Sequence, residues 1–266
     1  MIRDITIGQY YSGESVIHRL DARLKIVATV LFIIELFVVN DFIGFALCAV
    51  CLGIVVSASK VPLNFIMRGM KPILLILIFT FCLNIFMIPG NELVRIGFLK
   101  ITDAGLYTAV FMAIRLVLLI VGTSLLTFTT KPINLTDGIE SLLGPLGKIG
   151  VPTHELAMMM SIALRFIPTL LEETDKIIKA QQARGADFES GNLIRRAKAL
   201  VPILVPLFVS AFRIAQDLAM AMEARCYKGG KGRTRLHQMK FGKIDYMASV
   251  ILVLFLAAVI CMRIFF

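Results

Sequence analysis

Arg184 and Arg225 close two copies of the same short sequence. The first is Ala180-Gln181-Gln182-Ala183-Arg184-Gly185, and the second is Ala221-Met222-Glu223-Ala224-Arg225-Cys226. A guanidinium can grip a carboxylate through two parallel hydrogen bonds, a geometry that lysine cannot copy. Alanines at the preceding positions let a helix tip enter a groove closely. A single arginine in a last helical turn needs no such role, because it complements the macrodipole and donates to free carbonyls. Gly185 suits the left-handed residue that ends many helices. The repetition of the ending, on the two longest charged helical patterns of the chain, favours two contact points for other proteins.

Reactive chemistry is hard to assemble from the remaining residues. His18, His154 and His237 are dispersed, and no cysteine or carboxylate cluster has metal-ligand spacing. Neither a G-x-S-x-G nor an HExxH pattern occurs. Glu172 and Glu173 belong to a solvated helix face rather than an acid/base pair. Cys48 and Cys51 have redox spacing but lie mid-span among apolar residues, where cysteine acts as a small hydrophobe. The expectation is a chain with no catalytic residue, no metal and no cofactor.

The elements that carry the two arginines are set by an unusually apolar composition. The chain has 266 residues, of which 58% are hydrophobic, and no Trp. Its mean hydropathy is +0.85. Such values predict an all-α, polytopic membrane protein. Five segments, near 24–40, 42–59, 72–89, 105–130 and 246–265, approach or exceed the roughly 20 residues that cross ~30 Å of hydrocarbon. The first apolar run continues too far for a secretory signal. Asp21 is placed to cap the first span, and Pro62, Pro72 and Pro89 mark helix starts or ends.

The net charge of +10 is explained by where it sits. Arg3, Arg19, Arg23 and Lys25 precede the first span, Lys60, Arg68 and Lys71 follow the second, and residues 131–245 are strongly basic. The loop 90–104 balances Arg95 and Lys100 with Glu92 and Asp103. This asymmetry predicts a cytoplasmic N-terminus and an extracellular C-terminus in the plasma membrane, with the lipid bilayer, not nucleic acid, as the partner of the positive charge. Glu35, Asn84 and Arg115 fall inside spans, where charge is costly, so Glu35 and Arg115 are expected either to pair or to snorkel separately.

Three regions follow: 1–130 with the first four spans, 131–243 as a cytoplasmic coupling domain, and 244–266 as a last span. The middle region holds one short amphipathic helix, Leu135–Gly150 broken at Gly144-Pro145, and two long ones over 153–184 and 192–227. Arg165, Thr169, Glu172, Lys176 and Lys179 make a polar stripe on the first long helix, and Phe208, Phe212, Ala215, Ala219 and Met222 an apolar row on the second. Pro168, Pro202 and Pro206 are expected to bend these helices, which are read as lying at the inner membrane surface. Lys228–Arg235 reads as a basic linker toward anionic headgroups, without the spacing of a nucleotide-binding loop.

The two Ala-Arg endings, together with His18-Arg19-Leu20-Asp21-Ala22-Arg23-Leu24-Lys25 before the first span, resemble the transmembrane T component of energy-coupling factor transporters, the EcfT/CbiQ family. The likeness runs over essentially the whole chain. Cys226 stands where the family's triplet has Gly, and Ala22 where Pro is frequent. The resemblance implies a non-catalytic scaffold. Two ABC-type ATPases would receive the helix ends, one at Ala183, Arg184 and Gly185, the other at Ala224, Arg225 and Cys226. A membrane-embedded, substrate-binding S component would be driven to reorient, importing a vitamin or other micronutrient. Met158, Met159, Met160, Met220 and Met222 would give an adaptable surface for that subunit. The competing readings are the permease subunit of a conventional ABC transporter and an integral membrane enzyme. The first would be met as a symmetric assembly with one ATPase, and the second would turn over alone.

Overall fold

The computed structural model describes residues 10–96, 99–186, 188, 192–229 and 239–265. In chain order the elements are α1 (Val16–Arg19), α2 (Ala22–Val38), α3 (Phe42–Ser59), α4 (Leu63–Met87), β1 (Glu92–Ile96), β2 (Leu99–Thr102), α5 (Asp103–Thr129), α6 (Pro132–Leu143), a 3-10 segment (Gly144–Ile149), α7 (Thr153–Ala183), α8 (Leu193–Ala224) and α9 (Lys243–Phe265). They form two compact units. Residues 10–141 with 239–265 make a helical bundle, and the described part of 142–229 makes a hairpin of long helices.

The bundle is built around α5. Helices α2, α3 and α4 pack on it, and α9 packs on α2. Its core joins Leu36 and Val39 of α2, Phe45, Cys48 and Leu52 of α3, Phe111 and Leu118 of α5, and Val259 of α9. Phe45 meets Phe111 edge to face with centroids 4.7 Å apart, a geometry the ring quadrupoles favour. The opposite surface of these helices is also apolar. Leu75, Phe79 and Met87 of α4 are 74%, 61% and 74% exposed. In water such a continuous surface would aggregate, whereas in a bilayer it is solvated.

Six described helices are long and apolar enough to cross a membrane: α3, α4, α5, α7, most of α8 and α9. This set differs from the sequence reading in two ways. The 17-residue α2 falls just short in length, and the two long helices qualify because each contains a window poor in charge.

Pro72 does not begin a helix. α4 starts nine residues earlier, with Pro62 as its N-cap, and runs through Pro72. One missing N–H is tolerable in an apolar span whose neighbours fix its path. The loop after α4 also holds more order than its charges suggested. β1 and β2 pair antiparallel, with Ile96 opposite Leu99. The Asn91 N–H and side-chain amide both donate to the Asp103 carboxylate, at 3.1 Å each, which closes the base of this hairpin.

The start of α2 is a densely hydrogen-bonded corner of the bundle. Asp21 caps the helix by accepting the Arg23 N–H at 2.8 Å. The Arg23 guanidinium donates to Ser141 Oγ at 3.3 Å and to the Met239 carbonyl at 2.7 Å, and lies 5.0 Å from the centre of the Phe241 ring. Asp245 accepts the Asp21 N–H and the Gly242 N–H, both at 2.8 Å, tying the start of α9 to the start of α2.

Candidate docking ends of the two long helices

α7 and α8 end with the same pair of capping bonds. At the end of α7, the Gly185 N–H reaches back to the Gln182 carbonyl at 2.9 Å and the Ala186 N–H to the Gln181 carbonyl at 3.0 Å. At the end of α8, the Cys226 N–H reaches the Glu223 carbonyl at 2.8 Å and the Tyr227 N–H the Met222 carbonyl at 3.0 Å. Both patterns satisfy carbonyls that a helix end otherwise leaves open, and both need one residue in the left-handed region. Gly185 supplies it with φ of +85°, and Cys226 adopts it with φ of +54° despite its side chain. The cysteine therefore takes over the glycine's conformation.

The cap residue in each case is the arginine, Arg184 or Arg225. Ala183, Arg184, Gly185, Ala224, Arg225 and Cys226 are all exposed. The hairpin thus presents two tips of one backbone shape, each ending in an exposed arginine beside small residues.

The helices run antiparallel. The Gln181 side-chain amide, near the end of α7, donates to the Pro202 carbonyl in the first third of α8 at 3.3 Å. Met158 and Ile162 at the start of α7 share a cavity of about 520 Å³ with Leu218, Met222 and Arg225 at the end of α8. The two arginines therefore sit at opposite ends of the hairpin. At ~1.5 Å per residue, the stretch from Ile162 to Arg184 covers roughly 33 Å.

The polar stripe of α7 is where the spacing put it: Arg165, Thr169, Glu172, Lys176 and Lys179 are exposed. The apolar row of α8 is open over most of its length, with Phe208 67% and Phe212 59% exposed, and turns inward at Met222. The five methionines divide. Met158 and Met222 turn into the cavity between the helices, while Met159, Met160 and Met220 are 55%, 47% and 60% exposed. Of the basic stretch Lys228–Arg235, residues 230–235 lie outside the described residues.

Of the two alternatives for Glu35 and Arg115, the pair is not made. Both carboxylate oxygens of Glu35 are buried without a hydrogen-bond partner. Arg115 instead donates to the Val39 carbonyl, the C-cap of α2, at 3.1 Å. Its guanidinium lies 5.5, 5.6 and 5.1 Å from the ring centres of Phe37, Phe45 and Phe111. A helix C-terminus offers a free carbonyl at the negative end of the dipole, and three rings supply cation–π contact, so the arginine is held without the carboxylate, with its Nε left unpartnered. Asn84 stays within its own helix, donating to the Thr80 carbonyl at 2.8 Å.

Sequence reasoning missed Asp245, whose signal was its position three residues after Gly242 at the start of an apolar run, and Tyr227, which completes the second cap.

Comparison with known proteins identifies the family. A family model described as CbiQ, cobalt transport protein, matches residues 13–236. An energy-coupling factor transporter transmembrane protein EcfT of Thermosediminibacter oceani is 60% identical over 249 residues, covering 94% of each chain. Proteins of the same name from Ruminiclostridium cellulolyticum and Bacillus subtilis are 56% and 49% identical, covering 99% of this chain and 98% and 100% of theirs. The match spans the membrane helices and both capped ends, and on that footing the chain belongs to the EcfT/CbiQ family of transporter transmembrane proteins.

Proposed function

We propose that this chain is the force-transmitting subunit of an energy-coupling factor importer. Two ABC-type ATPases dock on it, one at Ala183, Arg184 and Gly185, the other at Ala224, Arg225 and Cys226. ATP-driven closing and opening of the ATPase pair moves α7 and α8. That motion reorients a membrane-embedded S component, which carries a vitamin or other micronutrient. The chain itself hydrolyses nothing. The observation that carries this reading is the pair of like-shaped, arginine-capped ends at opposite extremes of one hairpin.

Geometry also argues for how the hairpin lies. Standing across ~30 Å of hydrocarbon, it would put one arginine on each face of the membrane. Both ends can meet partners on the same side only when α7 and α8 lie along the surface. Their amphipathic faces suit that placement. The positive residues before α2 and after α3 support a cytoplasmic N-terminus, and the reading puts the partners of the hairpin on that side. The open methionines, Met159, Met160 and Met220, together with Phe208 and Phe212, offer the S component a surface that can repack. Met158 and Met222 support it from within the hairpin.

The test is charge reversal. Arg184→Glu and Arg225→Glu should each release an ATPase from the purified complex, or abolish ATP-driven uptake, while the chain still inserts into membranes. Full ATPase retention and normal uptake in both variants would refute the docking role.

A further inference from the structure

Two cavities of the bundle meet at one lysine. The first, about 330 Å³, is an apolar groove between α2, α3, α5 and α9, lined by residues such as Ala28, Ala58, Leu126, Ala248 and Ile251. The second, about 290 Å³, is polar and lies at the same end of these helices, among Tyr10, His18, Arg19, Lys131 and Asn134. Leu20, Lys25 and Thr129 line both. Lys25 uses two of its three ammonium donors on the His18 and Thr129 carbonyls, at 3.3 and 2.9 Å, and has one to spare. The lining of the polar cavity carries three cations, Arg19, Lys25 and Lys131, against one carboxylate, Glu14, which pairs with Arg19 at 3.5 Å and is 90% exposed.

We propose that the bundle holds one anionic phospholipid, with an acyl chain in the apolar groove and its phosphate at Arg19, Lys25 and Lys131. The depth fits. The groove lies beside the first turns of α2 and α9 and the last turns of α3 and α5, which is one leaflet's worth of these spans. The polar cavity lies just beyond their ends, among residues of α1 and the start of α6, where a headgroup resides. Apolar contact alone would not select a lipid here, because the alternative environment is equally apolar. Selection comes from the net positive rim and from a groove whose small walls admit one chain. The inference rests on the membrane placement of the bundle and not on ATPase docking.

Native mass spectrometry of the full chain tests this, after exposure to mixed micelles of equal phosphatidylglycerol and phosphatidylcholine. One phosphatidylglycerol per chain should survive detergent washing that strips the rest. Arg19→Gln and Lys131→Gln should each weaken its retention about fivefold, the factor equivalent to ~1 kcal/mol per basic residue at a membrane surface. Ala248→Leu, and Ala28→Leu on the facing wall, should abolish retention with unchanged helix content by circular dichroism. Equal retention of the two lipids, or retention untouched by the charge variants, would overturn the proposal. So would competition by inorganic phosphate, which would mark a site for a free anion. A photo-crosslinker at Ile251 in the assembled transporter should capture lipid, and capture of a protein helix there would also overturn it.

Discussion

Exchanging the roles of Gly185 and Cys226 isolates what the left-handed cap contributes. An L-residue in this conformation costs roughly 1–2 kcal/mol relative to its preferred regions. Glycine escapes that cost but loses ~0.5–1 kcal/mol more backbone entropy on folding. Cys226→Gly should therefore stabilise the end of α8 by about 0.5–1 kcal/mol. The cysteine is exposed, so almost no packing is lost with its side chain. Gly185→Ala should destabilise the end of α7 by a similar amount. A Cβ at Gly185 would meet nothing within 4 Å, so the whole effect would come from the backbone angle. The readout is amide hydrogen exchange of the full chain in nanodiscs, where opening of the last turn sets the rate. The Cys226 and Tyr227 amides should exchange about two- to fivefold more slowly in Cys226→Gly. The Gly185 and Ala186 amides should exchange faster by the same factor in Gly185→Ala. Faster exchange in the first variant, or no change in the second, would show that these ends are not held by left-handed caps.

Three other substitutions probe the bundle. Arg115→Met leaves the Val39 carbonyl at the end of α2 without its donor, and should cost about 1–3 kcal/mol, read as a lower melting temperature in detergent. Glu35→Met removes a carboxylate that is 1% exposed and unpartnered, and should raise that temperature; a fall would mean that the carboxylate is satisfied after all. His18 gives a pH signature. Burial holds its imidazole below the ordinary value of 6.5, with the Tyr11 carbonyl opposing the shift and Lys25 adding to it. The folded chain thus favours the neutral ring, so His18's contribution is complete above the ordinary value and is lost as pH falls through it toward the lowered one. Stability of the wild-type chain should drop more between pH 7 and pH 5 than that of His18→Asn, and equal drops would contradict the assignment.

The membrane character of the chain and the limits of most helices were written in local sequence. Asp21 caps α2 and Thr153 opens α7, because a cap and a proline act within one turn. The polar stripe of α7 was readable for the same reason, since a helical period fixes which residues share a face. Pro72 misled because a proline's local preference was overruled by an apolar span continuous on both sides. The small hairpin was legible in principle from the β-branched residues flanking Gly97. Arg115 was out of reach. Its partner is a backbone carbonyl 76 positions away, and no side chain at Val39 announces it. The Ala-x-x-Ala-Arg repeat marked both helix ends, but only coordinates reveal that they face in opposite directions, because the hairpin's sense depends on how α7 and α8 pack.

The guanidinium of Arg23 holds Ser141 and Met239 together, and those residues flank the two crossings where the backbone departs for the long-helix hairpin and returns. The point where the chain leaves the bundle and the point where it re-enters are therefore fastened to one guanidinium at the root of α2, so neither can shift within the bundle without straining the other's hydrogen bond.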